Sequence, residues 1–176
     1  MRRGTIWVAA VLYTAIGMIA IGLLLTAALP SIEKLRDRNT YAQTKQLIFT
    51  LDNTVRTIYL EGTASQRELN PLTITKGNFF INTTGIHWEL PTEALLIEPS
   101  TPDNKIIKKE GNLELWQEQL PQQGHYLVHI DSHYENIHFQ PTPGSTGMPL
   151  LGTYSLLLKN QEPGTAGTTI IALTVH

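Results

Sequence analysis

The sequence predicts an α+β protein in which one long N-terminal helix precedes an antiparallel β-sandwich-like head domain. An apolar segment opens the chain, an amphipathic helical pattern follows it, and short β-rich runs punctuated by Gly and Pro fill the remainder. We divide the chain into a basic start at 1–4, an apolar helix over 5–29, an amphipathic helix over 30–61, a linker over 62–71 and a head over 72–176.

Composition excludes several classes of function before any motif is considered. The 176 residues include no cysteine, which removes disulfides, zinc-thiolate sites and thiol nucleophiles. A net charge of −2 argues against nucleic acid as a partner, because nucleic-acid-binding domains are usually basic. Phosphate-binding glycine loops, a nucleophile elbow and an HExxH pattern are also missing. We therefore expect no catalytic residue, no cofactor and no bound metal.

The apolar segment is long enough to cross a membrane. Residues 5–29 carry no charge, and as a helix they extend about 37 Å, more than the hydrocarbon core of about 30 Å. A secretory signal peptide has a shorter apolar region of about 7–15 residues, so cleavage near Ala28 is the less favoured alternative. Lys and Arg flank both ends, and counting them does not fix the orientation.

Small residues and one proline mark positions where this helix has special properties. Ala10 and Thr14, and then Gly22 and Thr26, stand four residues apart, a spacing that allows close helix packing in lipid. The alternative is that small residues are simply common in spanning helices. Pro30 removes one helix hydrogen bond and predicts a kink, seen as a bend or local unwinding over residues 26–30.

A second helical pattern follows Pro30 in the stretch SIEKLRDRNTYAQTKQLIFTLDNTVRTIYLEG. Its apolar residues recur at spacings of three, four and seven and form one stripe: Ile32, Leu35, Ala42, Leu47, Ile48, Leu51, Val55, Ile58 and Tyr59. This pattern predicts an amphipathic helix that ends before Gly62.

The basic start resembles a known processing signal. Arg2, Arg3 and Gly4 directly before an apolar helix resemble the class III signal of archaeal type IV pilins and archaellins. The order of apolar helix, proline, amphipathic helix and β-rich head is similar to the layout of those subunits. The resemblance implies that a prepilin-type peptidase cuts between Gly4 and Thr5, removes residues 1–4 as a leader and leaves the apolar helix in place. Ala9 departs from the family, because many pilins carry an acidic residue at that position.

The resemblance also implies a function, a location and partners. It implies a structural and adhesive subunit, major or minor, of a pilus-like filament at the cell surface. Before processing, the chain would lie in the cell membrane as a single-pass protein with its C-terminal domain outside. The implied partners are other subunits contacted through the N-terminal helix, the peptidase, the pilus assembly machinery and membrane lipid. The alternatives are a membrane-anchored extracellular β domain that binds a ligand or partner as a monomer, and a secreted binding domain.

The head shows ten short β-rich runs from Leu72 onward, which predict strands. The sequences KGN at 76–78, NTTG at 82–85 and EGN at 110–112 predict hairpin turns, and PTPGSTGMP at 141–149 predicts a surface loop. Asn82 opens an Asn-Thr-Thr sequon on a predicted turn, which makes it a predicted N-glycosylation site.

A histidine-rich run is the one stretch that invites a metal hypothesis. HYLVHIDSHYENIH contains His125, His129, Asp131, His133 and His138. Alternation with Tyr126, Val128 and Ile130 predicts a strand with those three side chains inward. On a strand, residues four apart lie about 13 Å apart, too far to share one metal ion with bonds of about 2 Å. We therefore expect a polar strand face.

Overall fold

The computed structural model describes residues 3–100, 105–141, 150–163 and 169–176. The chain divides into two compact units, Met1–Asp37 and Arg38–His176. One helix, α1 (Arg3–Glu61), runs through both units, and all the described strands follow it, which confirms the α+β class. The loop predicted over 141–149 falls outside the described residues from 142 onward.

Nine strands make up the described part of the head. They are β1 (Gln66–Ile81), β2 (Gly85–Thr92), β3 (Pro99–Ser100), β4 (Lys108–Glu110), β5 (Leu113–Gln119), β6 (Tyr126–His133), β7 (Ile137–Pro141), β8 (Leu150–Pro163) and β9 (Thr169–Val175). The first strand therefore begins inside the segment predicted as a linker.

These strands form one mixed sheet with the order β3-β5-β6-β2-β1-β8-β9-β7, and β4 also pairs with β5. The β3–β5 and β7–β9 pairs are parallel, so the expectation of a purely antiparallel head was wrong. A two-sheet sandwich is not confirmed. The backbone N–H of Phe139 in β7 donates to the Thr83 carbonyl at 2.9 Å, which ties the β7 edge to the β1–β2 turn.

In the first unit, α1 is long and apolar enough to cross a membrane. Its candidate spanning window has a mean hydropathy of 2.4 over 18 residues, and none of that window is buried. Helical structure continues through Pro30, so the backbone does not unwind there. The loss of one hydrogen bond is not enough to end a helix whose other bonds remain. The predicted bend at Pro30 stays a prediction.

In the second unit, α1 supplies part of the core of the head. Ile48, Leu51, Val55 and Ile58 are fully buried and belong to one cluster with apolar side chains of the sheet. Their spacing of three and four residues places them on one helix face. The rest of the predicted stripe is less buried, because Ala42 and Tyr59 are exposed and Leu47 is only partly covered. The C-terminal half of the stripe is therefore the half that builds the core.

The end of α1 is fixed by polar side chains. The helix stops at Glu61, and Gly62 follows with a φ of 85°, the left-handed conformation that favours glycine after a helix. The Asn160 amide donates to the Ile58 carbonyl at 3.0 Å, and the Ser65 hydroxyl donates to the same carbonyl at 2.9 Å. These bonds tie the last turn of the helix to β8 and to the segment that follows the helix.

Two of the three predicted hairpin turns are confirmed, and one is wrong. NTTG joins β1 to β2, and Gly111 with Asn112 joins β4 to β5. KGN instead lies inside β1, where Gly77 has a φ of 88° and the pairing with β8 shifts register. A Cβ at Gly77 would lie 2.7 Å from the Trp88 Nε1, so the glycine also makes room for the buried indole. A glycine at a register shift inside a strand and a glycine in a turn give the same local sequence signal, and only the pairing of the strand distinguishes them.

Candidate functional site

The small-residue pairs of the apolar helix are hydrogen-bonded within the helix. The Thr14 hydroxyl donates to the Ala10 carbonyl at 2.9 Å, and the Thr26 hydroxyl donates to the Gly22 carbonyl at 2.6 Å. Each bond joins the two members of a predicted pair and removes the cost of an unpaired hydroxyl in lipid. Close packing of these positions against another helix stays a prediction. Side chains at 3–6 are not described, and Arg2 lies outside the described residues, so the processing signal also stays a prediction.

Strand β6 contains His129, Asp131 and His133 of the histidine-rich run on the face predicted for them, whereas His125 precedes the strand and His138 lies in β7. Val128 and Ile130 are buried in the core, whereas His133 is exposed on the opposite face. His129 stacks on Trp116 with ring centroids 3.7 Å apart. In the described part of the chain, no three His, Asp or Glu side chains are placed so that they could hold a metal ion.

A chain of hydrogen bonds crosses this face from the β1–β2 turn to β5. The Thr84 N–H donates to the Asn82 Oδ1 at 2.9 Å, so the Asn82 Nδ2 is the atom that faces the His87 Nε2, at 2.7 Å. That nitrogen of His87 must accept, and its proton therefore lies on Nδ1, 2.9 Å from the Asp131 Oδ1. The Trp116 indole donates to the other oxygen of Asp131 at 2.9 Å. Asn82 lies on the turn as predicted, and its glycosylation stays a prediction.

Asp131 is the centre of this chain and is held as a carboxylate. Burial on its own raises the pKa of Asp131, but the hydrogen bonds from His87 and Trp116, together with electrostatic attraction to the His87 and His129 rings, outweigh burial and hold the pKa below its ordinary value. His87 and Asp131 lie directly opposite each other in the β2–β6 pairing, which explains their contact. These hydrogen bonds therefore link the outward-facing side chains of three neighbouring strands, β2, β6 and β5.

We expect Asp131 to contribute to loss of stability in acid. A carboxylate with a lowered folded pKa adds stability that is fully present above its ordinary value of 3.8 and is lost as the pH falls through the folded value. Between about pH 5 and about pH 2.5, Asp131→Asn should thus lose less unfolding free energy than the wild type, measured by denaturant titration. Glu98→Gln, which removes an exposed carboxylate, is the control. Equal losses in Asp131→Asn and the wild type would contradict the assignment.

A second polar network lies between α1 and the sheet, at the carboxylate of Asp52. This side chain is 3% exposed, and its Oδ1 accepts bonds from Tyr134 at 2.7 Å, Asn112 at 3.1 Å and Ser132 at 3.2 Å. The Arg56 Nε donates to Oδ2 at 3.0 Å. Burial, followed by the hydrogen bond to Asp52, raises the pKa of Tyr134 well above its usual range. We call these five residues the Asp52 network.

The Asp52 network was not predicted from the sequence, although the sequence contains one signal of it. Asp52 follows Ile48 by four residues and precedes Val55 by three, which is the spacing of the buried stripe. A carboxylate at a stripe position predicts a buried partner, because an unpaired charge is not tolerated there. The identity of the partner was not predictable, since Tyr134 lies 82 residues away in sequence.

Comparison of the chain with protein-family models, with curated proteins and with solved structures finds no match in any of the three. Its function is therefore inferred from its own residues and their geometry.

Proposed function

We propose that this chain is a pilin-like structural subunit, major or minor, of a type IV pilus-like filament at the cell surface, with an adhesive head. The observation that carries the proposal is the two-part character of α1. Its first part is apolar, exposed and long enough to span a bilayer, and its second part carries the fully buried side chains Ile48, Leu51, Val55 and Ile58 of the head core. A helix of this kind joins a membrane or filament core to a folded head.

Physical chemistry links processing to assembly. Once the subunit leaves the bilayer, its apolar segment avoids water only by packing against similar helices, because burial of apolar surface is worth about 25 cal/mol per Å². Exposed side chains such as Trp7, Tyr13 and Leu24 supply that surface, at 76%, 76% and 70% exposure. Ala9 offers no carboxylate, so packing and not a charge pair would hold the helices together. We therefore propose that the chain contacts membrane lipid before processing, the peptidase and the assembly machinery during processing, and other subunits after assembly.

The test is the N-terminus of the mature protein from its native host. We expect the intact mass and N-terminal sequence to show a start at Thr5, and we expect Gly4→Val to abolish this start together with filaments seen by electron microscopy. Gly17→Val is the matched control for cleavage alone, because it makes the same substitution in the same helix away from the cleaved bond, where a Cβ has open space within 4 Å. A retained Met1 in the wild type would contradict the proposal and favour a monomeric anchor. A start at Leu29 would indicate a secreted domain.

A further inference from the structure

A cleft of about 440 Å³ opens on the head beside the Asp52 network. This volume falls within the range of about 300–1,000 Å³ that is usual for small-molecule sites. Polar side chains from three parts of the head form its wall. They come from α1, from the β4–β5 turn with strand β5, and from the segment around the end of β6: Arg56, Tyr59, Asn112, Glu114, His133 and Asn136.

The Asp52 network holds part of this wall in place before any ligand arrives. Arg56 and Asn112 both line the cleft, and both donate to the carboxylate of Asp52. The Asn112 amide nitrogen also donates to the Ser132 hydroxyl at 2.9 Å, and these bonds leave its Oδ1 out of the network. The Arg56 side chain is half exposed, and only its Nε enters the ion pair with Asp52. Polar groups that are already oriented lower the entropic cost of binding.

The charges around the cleft indicate which ligands fit. The positive charge of Arg56 is paired with Asp52, and Glu114 is paired with Lys109 at 2.7 Å. Glu135 adds an exposed carboxylate to the same wall. A phosphate or sulfate is favoured by clustered cations, which this mixed wall does not provide. A hydroxyl group both donates and accepts, so a ligand rich in hydroxyls matches a wall of carboxylates, amides and a guanidinium.

We propose that this cleft binds a neutral carbohydrate, as the end of an oligosaccharide chain. Tyr59 lines the cleft and is 36% exposed, and an aromatic ring is the side chain that packs against the C–H side of a sugar. Glu135 and Asn112 accept hydrogen bonds from sugar hydroxyls, and Arg56 donates to them. This inference names what the head recognises, and it holds whether or not the chain assembles into filaments.

The test uses the full chain in a detergent whose headgroup is not a sugar. We expect the protein to bind neutral oligosaccharides on a glycan array, and we expect the best of them to give a measurable Kd by calorimetry. Tyr59→Ala and Glu135→Gln should each weaken that Kd by about fivefold or more, the equivalent of one lost contact. Leu60→Ala and Glu98→Gln are matched controls, since both side chains are exposed and lie outside the cleft wall.

Thermal unfolding of each variant shows whether the head remains folded. Glu135 is exposed, so we expect Glu135→Gln to keep the unfolding midpoint of the wild type. Tyr59 is 36% exposed, so Tyr59→Ala should lower the midpoint by a few degrees, and its Kd is measured well below that midpoint. Failure to bind any neutral glycan, binding of acidic glycans alone, or a Kd that the two cleft variants leave unchanged would overturn the proposal. None of these readouts depends on cleavage after Gly4.

Discussion

We expect Asp52→Ala to lower the free energy of unfolding of the head by about 3–5 kcal/mol. The change leaves the hydroxyls of Ser132 and Tyr134 buried without their acceptor, and each such group costs about 1–3 kcal/mol. The Arg56 pair adds less, because the arginine is half exposed and its attraction is screened by solvent. Denaturant unfolding of the full chain in detergent measures the difference.

Two further variants show whether the loss of stability comes from removal of the carboxylate or from the helix propensity of the new residue. Asp52→Asn keeps one acceptor oxygen and should cost about half as much as Asp52→Ala. The neighbouring exposed change Asn53→Ala should alter stability by about 0.5 kcal/mol or less. Asp52→Ala and Tyr134→Phe should be clearly non-additive when combined, because both remove the same bond. A loss below about 1 kcal/mol for Asp52→Ala would mean that the network does not hold α1 to the sheet.

The second large effect concerns where the head begins. A chain that starts at Arg38 should fold and stay in solution without detergent, whereas a chain that starts at Gly62 should not fold. The second compact unit begins at Arg38 and includes the helical residues 38–61. Four fully buried apolar side chains are lost in the shorter chain: Ile48, Leu51, Val55 and Ile58. At about 1.5–3 kcal/mol each, they contribute about 6–12 kcal/mol, comparable with the whole stability of a typical domain.

Both truncated chains can be compared with the same tag in the same buffer. Size-exclusion chromatography and thermal unfolding should show a cooperative monomer for the chain that starts at Arg38 and aggregate for the other. A folded, monomeric chain that starts at Gly62 would show that the sheet does not need the helix. Aggregation of the chain that starts at Arg38 would show that the apolar segment is required for folding and is more than an anchor.

Local pattern determined most of the secondary structure of this protein. The helix that stops before Gly62, the turns at 82–85 and 110–112, and the inward position of Val128 and Ile130 all depend on residues a few positions apart. At that range the helix period of 3.6 and the strand period of 2 are directly visible. The apolar segment is equally visible, because only its own length and composition decide whether it can span a bilayer.

Tertiary structure decided everything that depends on which distant segments meet. Gly77 lies at a register shift inside β1 and not in a turn because β1 continues along β8, and the sheet is mixed because β7 returns beside β9. Asp131 meets His87 across 44 residues of sequence, and Asp52 meets Tyr134 across 82. Such contacts follow from strand register and helix docking, which the whole core fixes at once. No short stretch of sequence contains that information. The sequence therefore shows a carboxylate at position 52 of the apolar stripe, but it does not show the partners of that carboxylate or the cleft beside them.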